Sequence, residues 1–182
     1  MFNLPNCLTL ARILATPVVV LLLYFEGPGT CMVAAIVFAL ASLTDMIDGH
    51  IARKENLVTN LGKFLDPLAD KVLICSILIM LTYLNWVSAW IVILIVCREL
   101  IVTGLRAIAA GEGEVIAADK YGKLKTVLQA CAIVPLTIHY TFIGINVQAL
   151  GEFVLYIALI LTVVSGTNYV CAYYRTLVKK AV

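Results

Sequence analysis

The sequence predicts an all-α integral membrane protein of six transmembrane helices with a polar cavity facing the cytoplasm. Three observations lead there. Of 182 residues, 63% are apolar and 13% charged, whereas soluble chains are about half apolar and about a quarter charged. Crossing a hydrocarbon core of about 30 Å takes about 20 helical residues, so the chain has length for roughly six spans and none for a separate soluble domain. The basic residues fall in clusters that six spans keep on one side of the membrane, whereas five or seven would divide them across it.

The apolar stretches are residues 8–25, 31–43, 72–84, 86–110 with charged interruptions, 126–145 and 149–174. No basic segment precedes the first stretch and no small-residue cleavage pattern follows it, so it reads as a retained span. The breaks at 26–29, 84–86 and 144–146 are short and lack Lys and Arg. The remaining breaks and the inner halves of the spans hold all 13 basic residues: Arg12; Arg53, Lys54, Lys63 and Lys71; Arg98, Arg106, Lys120, Lys123 and Lys125; Arg175, Lys179 and Lys180. The positive-inside rule then puts both termini and the two longer loops in the cytoplasm. Tyr24, Trp86 and Trp90 near the outer ends fit an aromatic belt. Cys7, Cys31, Cys75, Cys97, Cys131 and Cys171 are scattered in or beside apolar runs and read as lipid-buried packing residues, and His50 and His139 show no partner spacing. A formal charge of +2 without a basic stripe interleaved with aromatics excludes nucleic acid as a partner.

The chemistry gathers at the inner ends of the second and third spans. Asp45 and Asp48 are three residues apart, hence about 60° apart on a helix, and Asp66 and Asp70 are four apart, about 40°. Two consecutive helices can therefore converge four carboxylates, with Gly49 and Gly62 leaving room for close approach. Counted from Cys31, Asp45 lies about 21 Å along its helix. An ionised carboxylate at that depth costs at least ~2.5 kcal/mol and four repel one another. Two divalent cations cancel that charge, and all-oxygen donors suit Mg²⁺ or Mn²⁺. Such a pair serves phosphoryl chemistry, so the expected substrate is a phosphate ester or anhydride reached from the cytoplasmic leaflet. An ion pathway would spread its acids across the bilayer; here they collect at one end.

The pattern D-x-x-D-G-x-x-A-R, eight residues, then G-x-x-x-D-x-x-x-D, is complete from Asp45 to Asp70 and closely resembles the signature of the CDP-alcohol phosphotransferases. Residues 3–12, 98–106 and 122–126 extend the similarity, toward the bacterial branch whose acceptor is glycerol 3-phosphate, over nearly the whole chain. The resemblance implies one domain over residues 1–182, in which Asp45, Asp48 and Asp66 bind metal with Asp66 shared by both ions. Asp70 would ligate the second ion and act as general base. Asp48, Gly49, Ala52, Arg53 and Gly62 would line the site for CDP-diacylglycerol, Arg53 on a phosphate. The hydroxyl of sn-glycerol 3-phosphate would attack the phosphorus bearing the diacylglycerol, giving phosphatidylglycerol phosphate and CMP. The resemblance also implies a homodimer in the bacterial cytoplasmic membrane, surrounded by membrane lipids. The competing expectation is a relative with another acceptor: inositol phosphate, serine or phosphatidylglycerol.

On the acceptor side, Arg98 and Arg106 lie on the inner half of the fourth span and Lys123 and Lys125 open the fifth. With Glu99 neutralising one of them, the surplus suits a phosphate dianion. Arg98 sits too deep in an apolar stretch for an ordinary topology residue, whereas Lys120, Lys179 and Lys180 read as just that. Asn6, Thr9 and Arg12 read as interfacial polar residues at a helix start.

Overall fold

The computed structural model describes residues 4–55, 60–111, 120–141, 144 and 146–181. The described residues form six helices and no strand: α1 (Leu4–Tyr24), α2 (Pro28–Glu55), α3 (Asn60–Tyr83), α4 (Ala89–Gly111), α5 (Lys120–Ile138) and α6 (Val147–Ala181). Both α2 and α3 run well past their apolar stretches, through the charged residues between them. Apolar length measures what lipid or core can cover, whereas charged residues at a helix end keep their backbone hydrogen bonds and continue the helix.

Local chemistry sets the ends. Gly27 precedes Pro28, which is suited to the first helical position, and the Thr30 hydroxyl accepts from the Gly27 N–H at 3.0 Å, so the third helical residue reaches back to cap α2. Asn146 caps α6 by accepting from the Ala149 N–H at 3.2 Å. At the end of α3, Asn85 takes φ 60°. Its N–H donates to the Thr82 carbonyl, and that of Trp86 to the Leu81 carbonyl, the paired bonds of a Schellman turn. That turn starts α4 at Ala89 rather than Trp86. His139, at φ 59°, closes α5 with one bond to the Pro135 carbonyl.

The three short connections meet at one end of the bundle. The Tyr140 hydroxyl, after α5, donates to the Glu26 carbonyl, between α1 and α2. His139 stacks on Trp86, between α3 and α4, with ring centroids 3.9 Å apart. Trp86 is thus buried beneath a histidine and is not a belt residue, while Tyr24 and Trp90 face outward.

Helix α1 packs against α2 and α3, α5 against α2, α3 and α6, and α4 against α3 and α6. Phe38, Leu73, Ile77, Leu81, Ile95 and Ile133 are fully buried at the centre. The α5–α6 contact is close because of Gly151: a Cβ there would lie 2.7 Å from Leu136 Cγ and 3.1 Å from the Ala132 carbonyl oxygen.

The outer surface is apolar. Leu14, Leu21, Leu40, Ile93, Leu100, Phe153 and Ile160 are each more than half exposed, whereas soluble monomers rarely show such continuous apolar patches. Cys97, Cys131 and Cys171 share that surface, and Cys31 is buried. Among the described residues, Val147–Arg175 is long and apolar enough by itself to cross a membrane, and Thr9–Tyr24, Pro28–Thr44 and Leu124–Ile138 are shorter apolar helices. In α3 and α4 charged residues interrupt the apolar run.

Candidate active site

Helix α2 carries Asp45, Asp48, Gly49, Ala52 and Arg53 in its second half, and α3 carries Gly62, Asp66 and Asp70 in its first half. Both segments are helical, so the three- and four-residue spacings hold as helix registers. The two helices are linked through shared neighbours, since each packs on α1 and on α5. The side chains of Asp45, Asp48, Ala52, Arg53, Asp66 and Lys123, and the surroundings of Gly49 and Gly62, lie outside the described residues. Asp70 is the signature carboxylate whose setting is described.

Asp70 lines a polar cavity of about 80 Å³ where α3, α4 and α5 meet, together with Lys71, Arg98, Glu99, Arg106 and Lys125. At about 10–15 Å³ per water, that space holds several waters or a small tetrahedral anion. Four cations face two carboxylates there, leaving a positive surplus. The structure therefore brings Arg98, Arg106 and Lys125 of the expected acceptor group to the expected base, and adds Lys71, which sequence reasoning had counted only toward topology.

The cations are held in different ways. Arg98 donates from Nε to the Thr162 carbonyl at 3.1 Å, from Nη2 to Ser165 Oγ at 2.9 Å and from Nη1 to Glu99 Oε1 at 3.1 Å. Glu99 also pairs with Lys125, so one largely buried carboxylate joins α4 to α5 and neutralises part of the cluster. Its burial with both partners explains how charges persist so deep in an apolar helix: each ion has an opposite charge in hydrogen-bond contact. Arg106 is exposed at the rim, its guanidinium carbon 5.2 Å from the centre of the Tyr169 ring, a cation–π arrangement.

Sequence reasoning missed the contribution of α6. Thr162, Ser165, Gly166 and Tyr169 lie three, four and seven residues along from the first, so they share one helix face. The signal was a run of small and hydroxyl residues in an otherwise apolar helix. At the other side of the bundle, Thr9 and Arg12 are each 3% exposed, which corrects their reading as interfacial residues. Arg12 lines a cleft of about 230 Å³ between α1 and α2 with Thr44, the residue before Asp45.

A helical, apolar-surfaced bundle with this carboxylate register and a cationic cavity agrees with the sequence signature. The chain belongs to the CDP-alcohol phosphatidyltransferase family, whose pattern it matches over residues 2–164, a span that ends one residue short of Ser165. It is similar to the CDP-diacylglycerol–glycerol-3-phosphate 3-phosphatidyltransferase of Bacillus subtilis (strain 168), 45% identical over 93% of this chain and 94% of that protein. The protein of the same name from Rickettsia bellii (strain RML369-C) is 43% identical over 92% of this chain and 93% of its own length. A probable phosphatidylglycerophosphate synthase of Mycobacterium tuberculosis (strain CDC 1551 / Oshkosh) is 41% identical over 92% of this chain and 80% of its own.

Proposed function

We propose that this enzyme transfers the phosphatidyl group of CDP-diacylglycerol to sn-glycerol 3-phosphate, releasing CMP and phosphatidylglycerol phosphate. The observation that carries the reading is the shared cavity: Asp70 of the signature and the cations of α3, α4 and α5 face one another across a space sized for an anion. The similarity to proteins named for this reaction supports the choice of substrates.

The donor set fits divalent cations, since the signature offers hard carboxylate oxygens alone, from two helices in same-face registers. Two such ions, Mg²⁺ or Mn²⁺, held by Asp45, Asp48, Asp66 and Asp70 would supply charge neutralisation to the diphosphate oxygens. Arg53 grips a phosphate of the cytidine diphosphate with its planar fork, and Gly49, Ala52 and Gly62 keep side chains out of its way. Arg98, Arg106, Lys123 and Lys125 hold the phosphate of the acceptor. Asp70 takes the proton of the acceptor hydroxyl as its oxygen bonds to the phosphorus bearing the diacylglycerol, and the bond from that phosphorus to CMP breaks. Serine, which has no phosphate, would leave the cationic surplus unanswered.

The six helices span the bacterial cytoplasmic membrane, with the cavity and both termini at the cytoplasmic face, and the chain acts as a homodimer, which crosslinking in membranes would test. At 1.5 Å per residue each helix is about 29 Å or longer, enough for a hydrocarbon core, and the gathered short connections form the opposite, outer end.

The direct test is radiolabelled CDP-diacylglycerol offered with a panel of acceptors. Glycerol 3-phosphate should give the labelled product, free glycerol almost none, chelation should abolish transfer, and Mg²⁺ or Mn²⁺ should restore it. Efficient transfer to serine or inositol phosphate in preference to glycerol 3-phosphate would overturn the acceptor assignment.

A further inference from the structure

The acceptor cations do not stand by themselves; each arginine rests on the same face of α6. An arginine has five N–H donors, and Arg98 commits three, two of them to α6 through the Thr162 carbonyl and the Ser165 hydroxyl. Two remain for a ligand. The stem of Arg98 crosses α6 at Gly166, where a Cβ would lie 2.8 Å from Arg98 Cγ and 3.2 Å from Nε, so a larger residue would displace the side chain. Thr162 is itself fixed, because its hydroxyl accepts from Gln129 Nε2 of α5 at 3.2 Å and is fully buried. One helical turn beyond Ser165, the buried Tyr169 ring supports Arg106.

A flexible side chain aimed at an anion loses rotamer freedom when it binds, and prior fixation by neighbouring groups removes that cost from the binding step. We propose that the α6 face formed by Thr162, Ser165, Gly166 and Tyr169 pre-sets Arg98 and Arg106 for the acceptor phosphate, with Ser165 and Tyr169 as positioning residues. This rests on the acceptor reading above and extends it to a helix that carries no cation in the cavity.

The test is steady-state kinetics of the full-length enzyme in detergent–phospholipid micelles, with glycerol 3-phosphate and CDP-diacylglycerol varied separately. Ser165→Ala removes one charge-assisted hydrogen bond and should raise KM for glycerol 3-phosphate about 5- to 20-fold. Tyr169→Leu should raise it about 3- to 10-fold, and Tyr169→Phe, which keeps the ring, should restore the wild-type value. KM for CDP-diacylglycerol should stay within about twofold in all three, the split expected when uniform binding of one substrate is lost. In an Arg98→Lys background, Ser165→Ala should add nothing, because coupled residues are not additive.

Equal loss of affinity for both substrates, a fall in kcat alone, or Tyr169→Phe behaving like Tyr169→Leu would overturn the positioning role. Wild-type enzyme unable to use glycerol 3-phosphate would overturn the acceptor reading, and this inference with it. Should Tyr169→Leu fail to accumulate, Ser165→Ala alone and in the Arg98→Lys background decides the matter.

Discussion

Replacing Glu99 by Gln tests the electrostatic logic of the cavity most sharply. Glutamine keeps the shape and one acceptor oxygen for Arg98, so the change removes charge and little else. The Glu99 side chain is 10% exposed, and its partners Arg98 and Lys125 are 12% and 5% exposed. Removing one member of a buried ion pair costs about 3–5 kcal/mol; the lower figure applies here because the cavity admits water. At about 2–4 °C per kcal/mol for a chain of this size, the thermal midpoint should fall by about 6–12 °C. Trp86, stacked at the far end of the bundle, makes intrinsic fluorescence a reporter of global unfolding. In the variant, Lys71, Arg98, Arg106 and Lys125 face Asp70 as the remaining carboxylate of the cavity. Added glycerol 3-phosphate should therefore raise the midpoint of the variant more than that of the wild type; one hundred times Kd of a ligand contributes about 2.7 kcal/mol. A midpoint within about 1 °C of wild type, or equal recovery by both proteins, would refute the picture of a carboxylate restraining a cationic anion site.

Asp70→Asn should retain CDP-diacylglycerol binding, measured by equilibrium dialysis, while turnover falls at least ~10²-fold for loss of a general base; near-normal turnover at saturating Mg²⁺ or Mn²⁺ would exclude that role. Gly151→Ala forces a methyl group against Leu136 and the Ala132 carbonyl, and should lower stability by about 1–3 kcal/mol in the same fluorescence assay without changing either KM. For the topology, a cysteine replacing Lys54 should resist an impermeant thiol reagent added from the periplasmic side of spheroplasts. Strong labelling there would invert the orientation.

The number of helices and the grouping of their connections were legible because turn chemistry and missing basic residues coincide at 26–29, 84–86 and 144–146. Helix ends were less so: the polar extensions of α2 and α3 carry no apolar signal although their backbone is helical. Arg98 could be picked out as a cavity residue, since a charge deep in an apolar stretch is costly unless it is paired or used. Lys71 could not, because a lysine beside an apolar run is what topology alone would place there. The α6 support was hidden for another reason. A hydroxyl in an apolar helix commonly bonds its own backbone, as Thr167 does with the Val163 carbonyl at 2.9 Å. Ser165, two residues earlier, turns to a neighbouring helix instead, and only the packing of α4 against α6 separates the two cases.

The grip of α6 on Arg98 has a bearing on how the chain is made. The carboxylates of α2 and α3 have all been synthesised once Asp70 is added, but the serine that steadies Arg98 is added 95 residues later. At about 5–20 residues per second, this leaves roughly 5–20 s in which the nascent chain carries the aspartate signature without the serine that steadies Arg98. A ribosome stalled after Glu99 but before α6 leaves a fragment with the full aspartate signature and an Arg98 fork held by Glu99 without its α6 partners. On the proposed reading, acceptor binding is weaker in such a fragment, because Arg98 keeps its bond to Glu99 but lacks its two bonds to α6.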